Sequence, residues 1–287
     1  MQTASSIPLT VFEEADAAGE FAANETIARL ESARDSRGIM TLGCPGGRSL
    51  RTTYRAIAHA AAERSIDFST LHIVMMDEYV EAHGDRWALC PPDAHYSCFR
   101  FGEVEIRRLI NAALPDALRI PAANVHVPNP NAPLEYEALI ARLGGIDVFL
   151  LASGASDGHV AFNPQGCALH ERTRIVELTD ATRIDNLGTF PQFRALSEVP
   201  RFGVSVGPAT IASHSAAAIL MLLGAGKATA MRRIAAAAHY DVAWPASIVL
   251  ECTDAQIVAD TAAAGAHSDD FSTEVWRKDT PAKETRD

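Results

Sequence analysis

Three short segments of this 287-residue chain gather groups that can move protons or hold an anion: Asp77-Glu78, Asp157-Gly158-His159 and the loop Cys44-Pro45-Gly46-Gly47-Arg48-Ser49. A carboxylate in low-dielectric surroundings can act as a general base, because desolvation favours its protonated form. Asp77-Glu78 follows the apolar run Ile73-Val74-Met75-Met76, so these acids suit that role; a helix N-cap or a surface acid is the structural alternative. Aspartate and histidine two residues apart on a turn can address one substrate from the same side. Histidine titrates near neutral pH and suits proton transfer to a ring oxygen. A turn aspartate beside a satisfied histidine is the plainer alternative. No second histidine is spaced as a ligand partner, so no metal is expected.

The glycine loop carries the groups for anion binding. Glycines let the backbone approach an anion, and a following helix N-terminus offers free N–H groups and partial positive charge. Gly47, Arg48 and Ser49 are therefore candidate phosphate ligands, with a plain turn and a serine cap as the alternative. The Walker spacing G-x-x-x-x-G-K-[ST] is absent. Lys227, after Gly224-Ala225-Gly226, can pair with the same anion or stand as a surface lysine, and Arg172, Arg174 and Arg183 add a cationic cluster suited either to phosphate or to a solvated face.

The elements that must position these groups alternate between strand and helix. Residues 13–34 predict a helix burying Phe21, Ile27 and Leu30, ended by Gly38. Ile39–Gly43, Leu71–Met76, Ile146–Ala152, Arg174–Leu178, Phe202–Val206, Ala217–Leu223 and Ile257–Asp260 predict strands. Helices are predicted from Ser49, as cap, through Arg64, over 96–112, after Asn129-Pro130-Asn131 through Leu143, and from Lys227 through Ala238. This alternation implies an α/β fold with a mostly parallel sheet and helices on both faces. In such sheets ligands bind beyond the carboxyl ends of the strands, and that is where the chemical segments fall. A single domain over 8–265, with a polar tail over 266–287, is the simplest division.

Composition narrows the function classes. The formal net charge of -11 argues against nucleic acid as main partner. Local cations and backbone amides can still hold one phosphate on an acidic protein. Five cysteines without a C-x-x-C pair predict reduced thiols in a cytoplasmic protein rather than a zinc ribbon or a disulfide framework. The first 21 residues have neither the basic nor the apolar region of a signal peptide, and the most apolar run, Ala216–Leu223, is too short to span a bilayer.

Taken in order, these segments resemble the glucosamine-6-phosphate deaminase/isomerase family and, more distantly, the 6-phosphogluconolactonases, over roughly residues 8–265. Asp157-Gly158-His159-Val160-Ala161-Phe162-Asn163 is similar to the D-G-H-I-A-F-N signature of the deaminases, and Met76-Asp77-Glu78-Tyr79-Val80 to their L-D-E-Y-V element. Arg172-Thr173-Arg174, Leu178-Thr179 and Thr182-Arg183 resemble the R-T-R…L-T…T-R run. Val206–Ile211 and Leu223–Ala228 match two further blocks. The resemblance implies a Rossmann-like three-layer αβα fold and chemistry on a sugar phosphate without metal or cofactor, in a homo-oligomer. It implies Asp77, with Glu78 beside it, as the base that moves a proton between C1 and C2. Asp157 and His159 would open the ring, and Ser49 and Lys227 would hold the phosphate, with Arg174 and Arg194 as further candidates.

Three departures stand out. Pro164-Gln165-Gly166 occupies the place of a glutamate that orients the family histidine, and Glu171 is a candidate to fold back in its stead. Asn186–Phe190 lacks a phosphate-contacting arginine. Gly47-Arg48-Ser49-Leu50 stands for G-S-T-P and is closer to some lactonases. The alternatives are therefore a lactonase using His159 to activate water, an isomerase for another sugar phosphate, and a sugar-phosphate-binding protein without catalysis.

Overall fold

The apolar runs separated by glycine turns form buried strands, and the alanine-rich stretches between them form helices. A computed structural model describes residues 7–265 and the short strand 274–276. In chain order, β1 (Leu9–Phe12) leads to α1 (Ala15–Arg37), β2 (Met40–Cys44), α2 (Arg51–Arg64) and β3 (Leu71–Met75). A hairpin of β4 (Asp77–His83) and β5 (Arg86–Leu89) follows. Next, α3 (Cys98–Phe101) runs through a π-helical stretch, Gly102–Arg108, into α4 (Leu109–Asn111). Then come β6 (Val125–His126), α5 (Leu134–Arg142), β7 (Val148–Ala152), β8 (Arg174–Glu177), α6 (Asp180–Thr189) and β9 (Phe202–Ser205). The chain continues through α7 (Pro208–His214), β10 (Ala218–Leu222), α8 (Ala228–Ala236), β11 (Ala255–Asp260), α9 (Thr261–Ala264) and β12 (Glu274–Trp276).

The main sheet has the order β12-β1-β11-β10-β7-β2-β3-β6, and every pair in it is parallel. Side chains alternate across it with period two. Leu42, Leu150 and Ile219 enter one core with Ile27, Leu30 and Tyr54 of α1 and α2. Phe149, Leu151 and Leu220 enter the opposite core with Ile140, Ile211 and Ile234 of α5, α7 and α8. Both faces are thus covered, as an all-parallel sheet requires.

The chain order reverses at β2. From there the chain steps outward to β3 and β6, then returns to β7 on the other side of β2 and goes on to β10 and β11. The loops after β2 and β7 therefore diverge, which opens a crevice at their carboxyl ends.

Several expectations change. Asp77-Glu78 does not end a strand: only Met76 separates β3 from β4, which leaves the main sheet and joins an antiparallel sheet of order β5-β4-β9-β8. Asp77 pairs in register with Ser205 there. The predicted strands Arg174–Leu178 and Phe202–Val206 belong to this second sheet rather than to the parallel one. Ser49 does not cap α2; Leu50 holds that position without a side-chain bond. Helix α6 was not expected from the sequence: it is short and polar, and Thr182 is its one buried residue; Thr179 caps it, accepting from the Thr182 N–H at 3.2 Å. The predicted polar tail lies mostly outside the described residues, while 274–276 pair with β1. Among the described residues no helix is long and apolar enough to cross a membrane.

The register of the β2–β7 pair rests on one small residue. A Cβ at Gly43 would lie closer than 3.0 Å to the Phe149 ring, which fills the space beside it. Gly43→Ala should therefore cost about 1–3 kcal/mol through overpacking, lowering the melting temperature by about 2–4 °C for each kcal/mol. A thermal melt checks this; an unchanged transition would mean that the ring can move aside freely.

Candidate functional site

The crevice between the β2 and β7 loops holds a cavity of about 510 Å³. Its walls come from the glycine loop, the start of β4, the loop after β7, one face of α6, and the Gly224–Lys227 turn. Of the sequence candidates, Gly47, Arg48, Ser49, Asp77, His159 and Lys227 line it. Asp157 stands directly behind His159.

Asp77 is buried, and the Cys98 thiol donates to its Oδ1 at 3.1 Å. Its Oδ2 has no hydrogen bond among the described residues. Burial pushes the carboxyl up; the Cys98 hydrogen bond opposes this, the Glu78 charge adds to it and His159 opposes it, leaving the group at about 7. Burial also pushes the Cys98 thiol well above its usual range, which keeps it protonated and a donor. The rings of Tyr79, Phe162 and Phe190 wall this end, with the Tyr79 and Phe162 centroids 4.8 Å apart.

Asp157 and His159 form a pair, Oδ1 to Nδ1, at 2.7 Å. The His159 backbone N–H also donates to Oδ1 at 3.1 Å, and the Thr182 hydroxyl donates to Oδ2 at 3.1 Å. Burial raises the Asp157 carboxyl, but the hydrogen bonds and charge of His159, with Thr182, outweigh it and hold the group at about 2. Asp157 is therefore an anion that takes the Nδ1 proton of His159 as a hydrogen bond, leaving Nε2 without a hydrogen bond among the described residues. Gly154 makes room for the pair: a Cβ there would come closer than 3.0 Å to both His159 Nδ1 and Asp157 Oδ1.

Another part of the cavity wall is cationic. Lys227 Nζ donates to the Ser153 carbonyl at 2.5 Å, and burial lowers its pKa. The charges of Asp185 and Asp157 oppose that lowering, and Arg48 adds to it. The Arg48 guanidinium packs over Gly188 of α6. The Lys227 turn is tied to the sheet by Asp260, whose carboxylate accepts from the Gly224 N–H at 2.9 and 3.0 Å and from the Ala263 N–H at 2.8 Å. Lysine, arginine, Ser49 and the glycine-loop amides together suit a phosphate.

Other candidates serve the scaffold. Glu78 does not reach the cavity. Its carboxylate accepts from the backbone N–H groups of Tyr79, Cys98 and Phe99 and from the Ser97 hydroxyl, anchoring α3 and with it Cys98. Arg174 is engaged by Asn163, Cys167 and Glu171 outside the cavity, and Arg194 is exposed on the segment after α6. Arg172 pairs with buried Glu137, and Arg183 with Asp180 and two carbonyls. Glu171 does not fold back to His159; it pairs with Arg174 and accepts from the Ala168 N–H. The orienting contacts to the Asp157–His159 pair come instead from Thr182 and Thr179.

Sequence reading passed over Cys98, Thr182, Asp185 and Asp260. Asp260 left a signal as an acid at the end of a predicted strand, and Thr182 stood in the T-R element of the family resemblance, but neither carried a role. The ligand atoms of Asp157, His159 and Asp185 lie within 4.8 Å of one another. Oδ1 and Nδ1 of the first two already bind each other, and the Lys227 and Arg48 charges oppose a further cation, so the arrangement suits proton transfer better than metal binding.

A carboxyl that titrates at about 7 makes a base whose active form is lost as the pH falls through that value. The acid limb of kcat/KM should therefore lie near neutrality. Cys98→Ala removes the donor and should move that limb upward, whereas Cys98→Ser should leave it or lower it. A limb unmoved by both changes would show that the thiol does not hold Asp77.

The family model of glucosamine-6-phosphate isomerases/6-phosphogluconolactonase matches residues 13–89. Glucosamine-6-phosphate deaminase of Rhodococcus opacus (strain B4) is 34% identical over 244 residues, covering 83% of this chain and 86% of the relative. A solved structure described as a monomeric glucosamine-6-phosphate deaminase superposes with a TM-score of 0.73 at 24% identity, covering 90% of this chain and 99% of that one. A 6-phosphogluconolactonase from Trypanosoma cruzi has a TM-score of 0.64 at 16% identity, covering 92% and 97%. The two structural likenesses bear on the fold alone.

Proposed function

The chain belongs to the glucosamine-6-phosphate isomerase/6-phosphogluconolactonase family, and from that premise we propose that it is an amino-sugar-phosphate isomerase/deaminase acting on glucosamine-6-phosphate or its galactosamine counterpart. The observation that carries this reading is Asp77, a buried carboxylate poised near neutrality, with Oδ2 unbonded among the described residues and with His159, Lys227 and Arg48 lining the same cavity. A lactonase has no need of a base for a carbon-bound proton.

The chemistry follows from this arrangement. Lys227, Arg48, Ser49 and the glycine-loop amides hold the phosphate on C6. His159, oriented by Asp157, takes the O1 proton on Nε2 and passes it to the ring oxygen as the bond from C1 to that oxygen breaks, which yields the open aldehyde. Asp77 takes the proton from C2 while the substrate ammonium gives one proton to O1, forming an enolamine across C1 and C2, and Asp77 returns its proton to C1. The product of that transfer is an imine at C2. Water adds there, ammonia leaves, and the ketose phosphate remains. A base of pKa near 7 can accept the carbon proton and release it again, as the two halves of the transfer require.

The test is ammonia release and ketose formation from both amino-sugar phosphates. Wild type should release ammonia, and Asp77→Asn should lower kcat by about 10²–10⁴-fold with the melting transition retained. Lys227→Ala should act chiefly on KM. No ammonia, together with hydrolysis of 6-phosphogluconolactone, would overturn the reading in favour of the lactonase.

A further inference from the structure

The cavity contains a third acid to which the mechanism above gives no task. Asp185 lies on α6 three residues after Thr182, so the two share a helix face. Thr182 uses that face to hold Asp157. Asp185 Oδ2 accepts from the Ala155 N–H at 3.3 Å, a long bond, and Oδ1 has no hydrogen bond among the described residues. The carboxylate is half-buried and lines the cavity. A negative charge there works against binding an anionic substrate, so its place beside the phosphate end calls for a compensating contact.

Its neighbours order the cavity. The charge of His159 acts on Asp77. Asp185 lies within 4.8 Å of the Asp157–His159 ligand atoms. The charge of Asp185, in turn, acts on Lys227. Along one face of α6, Thr182 holds Asp157 at one end and Gly188 packs under Arg48 at the other, so Asp185 stands between the acid–base pair and the cationic groups of the cavity. A six-carbon sugar phosphate laid along this face has C1 and C2 at Asp77, its ring oxygen at His159 and its C6 phosphate at Lys227. The hydroxyl nearest both the ring oxygen and the phosphorylated carbon is that on C4. An ionised carboxylate only accepts hydrogen bonds, and a sugar hydroxyl is the matching donor.

We propose that Asp185 is a specificity-determining residue: its carboxylate accepts a hydrogen bond from the C4 hydroxyl and so selects one C4 epimer of the substrate. The inference rests on the deaminase reading above. It goes beyond that reading by naming the residue that distinguishes the gluco from the galacto configuration.

The experiment measures kcat/KM for glucosamine-6-phosphate and galactosamine-6-phosphate with wild type, Asp185→Asn and Asp185→Ala. Wild type should prefer one epimer by about tenfold or more, as expected for a hydrogen bond to a charged group. Asp185→Ala should bring the ratio toward one by losing activity on the preferred epimer. Asp185→Asn, which keeps an acceptor oxygen, should retain an intermediate preference, and it carries the test if the alanine variant melts early. An unchanged ratio, with both epimers slowed alike, would reduce Asp185 to an anchor for Ala155 and overturn the proposal, as would a wild type indifferent to C4. Release of ammonia from neither epimer is a separate result that removes the deaminase reading itself.

Discussion

One carboxylate, Asp77, is taken out of water at the place where the chain leaves its main sheet, and much of the site follows from keeping it there. Burial alone would hold it protonated and useless as a base. The Cys98 thiol, Glu78 and His159 then settle it near 7. Glu78 contributes twice, through its charge on Asp77 and through the backbone groups it binds at the start of α3, which bring Cys98 to the carboxylate. A surface aspartate would need none of this apparatus, and would be ionised throughout the physiological range.

The other charged groups answer the same constraint with opposite outcomes. Asp157 is buried yet lies at about 2, because His159 and Thr182 hydrogen-bond its charged form. Lys227 is held down by burial and partly restored by two aspartates. Two acids and a lysine within one cavity thus acquire different readiness for protons from their immediate partners. Pairs of carboxyls pushed apart in this way are what acid–base division of labour requires. The polar scaffold beneath them is equally committed: Asp260 fixes the Lys227 turn, and Glu137 is taken up by Arg172, Thr173 and Thr210.

The parallel core was legible because its signals are local. Ile39–Gly43, Leu71–Met76, Ile146–Ala152 and Ala217–Leu223 are apolar runs between glycine turns, and each lies within a residue or two of an observed strand. The second sheet was not legible as a separate body, since Arg174–Glu177 and Phe202–Ser205 look like any short strand until their partner is known. Helix α6 was missed because it buries almost nothing; its residues face the cavity and solvent. Glu78, a candidate catalytic acid, and Arg174, a candidate phosphate ligand, are both bound by other partners, and Arg194 is exposed on the segment after α6. Charge and position along the chain do not say whether a side chain is already paired.

By itself the sequence determined the α/β alternation and the loops at the carboxyl ends of strands, and it singled out Asp77, Asp157 and His159 as candidates for acid–base chemistry. These follow from residue type, periodicity and neighbours a few positions away. Tertiary structure alone decided which groups share one cavity and what state each is in. Cys98 meets Asp77 from 21 residues along the chain and Thr182 meets Asp157 from 25, while Asp260 ties down Gly224 from 36. Desolvation and hydrogen bonding depend on distance through space, and only the folded chain brings those distances into being.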